Sequence, residues 1–183
     1  MKKQIVIVLS VLALAIAALT LGRGHQTSSK AAQPSEVPDH VMYKHLFHHV
    51  MVLKKKAEDA QKEGKDGTQF KTHFIRQANL NQEQVGTLEQ VASEWELEVQ
   101  MIALRAKPLI AAYKAQYPGG QVPHGQTPGP PPAELRKLSE ERDASTLRAR
   151  DRLRVALGHD EFTRFDNFVK TRIAPNIQMQ TTK

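Results

Sequence analysis

The sequence predicts an all-α protein: an elongated helical hairpin or bundle of about five helices behind an amino-terminal export or anchor segment. Three observations predict it. Apolar residues recur at steps of three and four through most of the chain after residue 38, and Pro and Gly gather at a few boundaries. No run alternates apolar and polar positions with β-branched enrichment, so strands are not expected.

Lys2 and Lys3 precede an uncharged apolar run of 17 residues from Ile5 to Leu21, broken only by Ser10 and Thr20. That run is longer than the roughly 7 to 15 residues of a signal core and at the short edge of the roughly 17 to 25 that span a bilayer. Ala15-Ile16-Ala17 offers a small-x-small cleavage pattern, but inside the run. Residues 1–21 therefore read either as a signal peptide or as a membrane anchor, and both readings place the remainder in the periplasm or another exported space. The chain has no cysteine, which excludes a lipoprotein, a disulfide framework and thiolate chemistry. Stability must come from packing, and any metal must be held by His, Met or carboxylates. The formal charge is +7, but Lys2, Lys3, Arg23 and Lys30 belong to the leader and its flank; 22 basic against 19 acidic residues remain, which gives no argument for nucleic acid.

Residues 22–37 are poor in apolar side chains and read as a flexible tether. A single helical domain is expected over 38–175. Its first helix starts at Pro38-Asp39, with Asp39 as cap, and runs to about Glu63, burying Met42, Leu46, Val50, Leu53, Ala57 and Ala60. Gly64 and Asp66-Gly67 stop it. A short second helix, Thr68 to Gln77, carries Phe70 and Phe74 one turn apart and gives way at Ala78-Asn79-Leu80. Asn81 caps the third helix in a capping box with Gln84, with Leu80 as the apolar residue before the cap. Val85, Leu88, Ala92, Trp95, Val99, Ile102, Ala106, Leu109 and Tyr113 then form a heptad stripe. Pro108 predicts a kink or break, and the helix should end by Tyr117-Pro118.

Six prolines and four glycines make 118–132 an exposed loop, which contains His124. A fourth helix, Ala133 to Leu157, is highly charged and has a thin stripe of Leu135, Leu138, Thr146, Ala149, Leu153 and Leu157. Gly158 ends it and Asp160 caps a short aromatic helix bearing Phe162, Phe165, Phe168, Val169 and Ile173, which stops before Pro175. Residues 176–183 are expected to be a disordered tail.

Two constellations bear on function. His40, His45, His48 and His49 lie within ten residues of helix one, and His45 and His49 are one turn apart. Two imidazoles so placed can share zinc, copper, nickel or cobalt if His73, His159 or a carboxylate supplies a third donor. The same histidines also suit amphipathic filling beside Tyr43 and Phe47. No phosphate loop, HExxH motif or nucleophile elbow is present, and Ser93, Ser139 and Ser145 sit in polar helical surroundings. Glu94 with Glu98 and Glu140 with Glu141 read as solubilising pairs, so no catalytic residue is assigned. Lys54 to Lys56 and Arg148, Arg150, Arg152 and Arg154 read as solvated helix faces.

The other constellation is a repeated helix start. Leu80-Asn81-Gln82-Glu83-Gln84 and Leu157-Gly158-His159-Asp160-Glu161-Phe162 each place a leucine before an acid-bearing first turn. The first resembles the L-T-x-x-Q motif of the Spy and CpxP family of small periplasmic helical proteins, and the second is similar to that family's later copy, with Phe162 where glutamine is usual. Asn81 keeps the capping chemistry of the usual threonine; Gly158 does not. The resemblance implies a thin, curved helical homodimer that holds unfolding polypeptides or a membrane sensor protein, and relatives of this kind include metal sensors with histidines on an early helix. The expected role is therefore that of a non-catalytic, chaperone-like envelope-stress accessory. Its binding patches would come from helices three and five, ringed by Lys54 to Lys56 and Arg148 to Arg154. A metal sensor or buffer centred on His45 and His49 is the alternative, and an anchored structural protein a third.

Overall fold

The structure is a computed structural model and describes residues 37–121 and 127–181. The expected leader at 1–21, nearly all of the tether and His124 lie outside the described residues. The described residues are all-α, in the order α1 (Asp39–Lys62), α2 (Gln69–Ala78), α3 (Gln82–Lys114), α4 (Ala133–Leu157), α5 (His159–Phe168) and α6 (Ala174–Thr181). A 3₁₀ turn, Pro118–Gly120, follows α3, and a π-helical turn, Val169–Ile173, joins α5 to α6.

Helix boundaries follow local chemistry. In α1, Pro38 occupies the cap position and Asp39 the first turn, where its carboxylate meets the positive end of the helix dipole rather than capping it. The α1–α2 turn needs glycine at one point: a Cβ on Gly67 would lie 2.3 Å from the carbonyl oxygen of Ala57. Helix α2 ends on Asn79 in the left-handed region (φ 50°), with the Leu80 amide bonded back to the Ile75 carbonyl. Helix α3 opens with the expected capping box: Asn81 Oδ1 accepts from the Gln84 amide and Gln84 Oε1 from the Asn81 amide, both at 2.9 Å. Gly158 (φ 78°) separates α4 from α5; Asp160 lies within the first turn of α5 and is not its cap.

Helices α3 and α4 pack antiparallel: Glu98 meets Ser145 and Arg152, while Arg105, later on α3, meets Glu141, earlier on α4. Helix α1 lies across the pair, with Phe47 on Trp95 (5.5 Å between ring centroids) and Lys54 on Ser93 (3.0 Å). The α5 segment closes the other side of α1: the Phe162 ring stacks on Tyr43 at 6.4 Å, and Phe168 stands edge-on to Phe74 of α2 at 6.0 Å. One core results, centred on Met42, Tyr43, Leu46, Phe47, Leu88, Ala92, Trp95, Leu153 and Phe165. Near-complete burial of such aromatic and aliphatic side chains contributes about 1.5–3 kcal/mol each.

Of the kink or break expected at Pro108, the break is not found: α3 is continuous, and its end is held to the start of α4 through Arg105–Glu141 and the Tyr113 hydroxyl, which donates to the Gly129 carbonyl. Nor does the chain stop before Pro175. Proline lacks an amide donor and its ring crowds the carbonyl four residues back, that of Thr171. The widened π turn takes up this mismatch, so helix continues through residues expected to be a tail and Ile177 is buried.

Candidate functional site

Helix α3 has two apolar faces. Leu88, Ala92, Trp95 and Ile102 are buried, as the heptad stripe predicts. About half a turn around the helix, Leu97, Met101 and Leu104 form a second row at steps of four and three, 64%, 62% and 63% exposed. Large apolar side chains at this exposure, aligned on one helix face, are the kind of patch that marks an interaction surface. The row runs beside an ionic seam between α3 and α4. Glu98 accepts from Ser145 Oγ at 2.6 Å, from Arg152 Nη1 at 2.9 Å and from Arg148 Nη2 at 3.5 Å. Burial works to raise the Glu98 pKa, but the hydrogen bonds from Ser145 and Arg152 and the charges of Arg152 and Arg148 hold it below its ordinary value.

This seam corrects three sequence readings. Ser145 is fully buried rather than solvated. Glu98 is a bridge between helices, not half of a solubilising pair. The arginine cluster is also committed: Arg148 and Arg152 to Glu98, Arg150 to Asp39 and Asp151, and Arg154 to Asp151. Arg148, Arg150 and Arg152 join helices, while Arg154 pairs within α4 and, like Arg148, stays exposed. Arg152 Nε and Nη2 are shielded from solvent without a hydrogen-bond acceptor, Nε lying 3.9 Å from Glu94.

Helix five does not supply the second patch expected of it. Phe165 is buried, and Phe162 and Phe168 are taken up by Tyr43 and Phe74. The Tyr43 hydroxyl donates to Asp166 at 2.8 Å, and Lys170 pairs with the same carboxylate at 2.8 Å. Burial, then the hydrogen bond to Asp166, raises the Tyr43 pKa well beyond the usual phenol range. Other large apolar side chains left exposed are Val155 of α4 and, to a lesser degree, Phe70 of α2.

The two helix starts noted in the sequence come together. Gln84, already in its capping box, donates through Nε2 to Glu161 at 2.7 Å. Arg164 pairs with Glu161 from the next turn. Residues 77 positions apart are thus joined at the first turns of α3 and α5.

His45 and His49 lie on α1 as expected, one turn apart. Burial, then the charges of Lys44 and His48, lowers the His45 pKa; burial, then His48 and Lys56, lowers that of His49. The His49 ring stands edge-on to Phe74 at 5.6 Å. Among the described residues, no three His, Cys, Asp or Glu side chains are grouped to hold a metal ion. His73 and His159 do not complete the pair, and His40 lies 3.8 Å from Asp143 instead. Among the described residues the donor set stops at two, short of a closed site.

No helix among the described residues is long and apolar enough to cross a membrane. In comparisons with known proteins, no family model, no curated protein and no solved structure matches this chain.

Proposed function

We propose that this is an exported, non-catalytic helical binding protein that holds flexible polypeptides against the outer face of α3, as a chaperone-like accessory of the cell envelope. The observation that carries the reading is the exposed row Leu97, Met101 and Leu104, whose side chains are more than three-fifths solvent-accessible while the opposite stripe is packed. Unfolded chains expose apolar side chains at irregular spacing, and a flat apolar row gains from burying them without requiring a particular sequence. The contact between Gln84 and Glu161 supports the same reading, because it pairs the two segments that resemble the Spy and CpxP motif.

In an aggregation assay without ATP, the protein should suppress precipitation of an unfolded client. A Leu97→Asp, Met101→Ser double variant should lose that suppression at an unchanged melting temperature. Failure to suppress at several-fold excess, or suppression untouched by the double variant, removes the reading.

A second reading has one observation in its favour: burial lowers the pKa of His45 and of His49, which favours the neutral imidazole that binds metal. A metal sensor or buffer would need a third ligand from a second chain or from outside the described residues. Calorimetric titration with zinc, copper, nickel and cobalt tests it. Micromolar binding abolished by His45→Ala, His49→Ala supports this reading, and absence of heat rejects it.

A further inference from the structure

Charge on α3 changes sign at its middle, where the exposed apolar row lies. From Gln82 to Glu98 the helix carries Glu83, Glu89, Glu94, Glu96 and Glu98 and no Lys or Arg; from Val99 to Lys114 it carries Arg105, Lys107 and Lys114 and no Asp or Glu. Leu97, Met101 and Leu104 straddle the change. Glu96 and Lys107 are eleven residues apart and almost equidistant from Met101. That separation is close to three turns at about 3.6 residues each, so the two lie on one flank of the row. Among the described residues, neither has an ion-pair partner in its own chain. Glu98 and Arg105 flank the other side of the row in the same order, although both are engaged by α4.

We propose that a second copy of this chain docks on the outer face of α3, with the two helices antiparallel about a two-fold axis beside Met101. A face that is acidic on one side of an apolar centre and basic on the other is its own complement under that rotation. Met101 then meets its counterpart at the axis, each Leu97 lies beside Leu104 of the other copy, and each Glu96 faces the other copy's Lys107. A parallel arrangement would set like charges together instead. The reversal of sign is what selects the occupant. A flexible client needs no such reversal along the row, and a lipid surface favours one sign throughout. Three large apolar side chains from each copy make a small, reversible contact rather than an obligate one. The pairing does not rest on client binding; only its consequence does, namely that a client and a second copy compete for one row.

The absence of cysteine permits crosslinking from a single introduced site. A residue on a two-fold axis meets itself, so Met101→Cys of the full chain should be linked into a dimer by a short bismaleimide. Val155→Cys, exposed on α4, should not. In analytical ultracentrifugation at low salt, Glu96→Lys and Lys107→Glu should each weaken association by about tenfold, with helix content unchanged by circular dichroism. An equimolar mixture of these two variants places opposite charges at both contacts again and should recover the parental association. No link at 101, equal links at 101 and 155, or a mixture as weak as its components overturns the proposal. Association untouched by either reversal places it elsewhere on the chain and overturns the proposal too, as does a link at 101 that forms only when an unfolded client is added. A protein that associates as described yet suppresses no aggregation supports the pairing and removes the client reading alone.

Discussion

The Trp95 indole donates its Nε1–H to the Thr146 hydroxyl across the α3–α4 interface at 3.0 Å, with both side chains buried. Thr146 in turn donates to the Arg142 carbonyl one turn back on its own helix, at 3.0 Å. Thr146→Val keeps the volume but leaves the indole donor without a partner in the core. The expected cost is about 1–3 kcal/mol. Trp95 is the only tryptophan, so urea unfolding followed by its emission reads both the stability loss and the altered environment directly.

Glu98 gives the interface a pH dependence. Its folded pKa lies below the unfolded value, about 4.3, because Ser145 and Arg152 favour the carboxylate. The stabilisation is therefore present above the unfolded pKa and lost as pH falls through the folded one. Denaturant midpoints of the parent protein should decline below about pH 4.5 more steeply than those of Glu98→Gln. At pH 7, Glu98→Gln should be the less stable of the two. Parallel declines would show that Glu98 does not contribute to the acid transition.

Gly67 is a steric requirement. With Ala57 backbone atoms 2.3–2.8 Å from the position a Cβ would take, Gly67→Ala must push α2 away from α1. A loss of about 1–3 kcal/mol is expected, as for other overpacked sites. Gly86→Ala, on the open side of α3 with nothing within 4 Å of the added methyl, should instead stabilise by about 0.4–1 kcal/mol. Thermal melting of the two variants gives opposite signs.

The capping box at Asn81 supports two elements. Asn81→Ala should cost about 1 kcal/mol through the lost cap alone. It should also loosen Gln84, whose other amide atom holds Glu161. Amide hydrogen exchange is then expected to rise in the first turns of both α3 and α5. Exchange confined to α3 would show that the contact with Glu161 does not depend on the cap.

What was legible in the sequence was local. The cap at Asn81, the α3 stripe, the span of α4 and its end at Gly158 are each set by chemistry within a few residues, and the structure has them where the pattern places them. What was not legible depends on partners distant in sequence. The buried Ser145 hydroxyl is satisfied by Glu98, 47 residues away, which accepts its hydrogen bond, and a serine among charged residues carries no sign of that. Tyr43 and Phe47 are among the most deeply buried side chains, yet they lie beside the stripe traced from Met42 and Leu46. Only the packing of α5 over one flank of α1 and of Trp95 over another covers them. The outer row of α3 was visible as residues but not as a surface, since a heptad reading identifies the packed stripe and is silent about the opposite one. Helix through Pro175 was missed because proline was read as a stop, whereas a widened turn can absorb it.

At the far end of the α3–α4 pair, the Tyr113 hydroxyl donates to the Gly129 carbonyl, and the Gly129 amide donates to the Tyr117 hydroxyl at 2.9 Å. The segment leading into α4 is thereby fastened to α3 before α4 begins, which helps to fix the register of α4. The stretch between the two tyrosines and Gly129 is a natural point for genetic insertion: a tag or small reporter domain spliced there should leave the helical pair intact, and the same junction could supply new termini for a circularly permuted form.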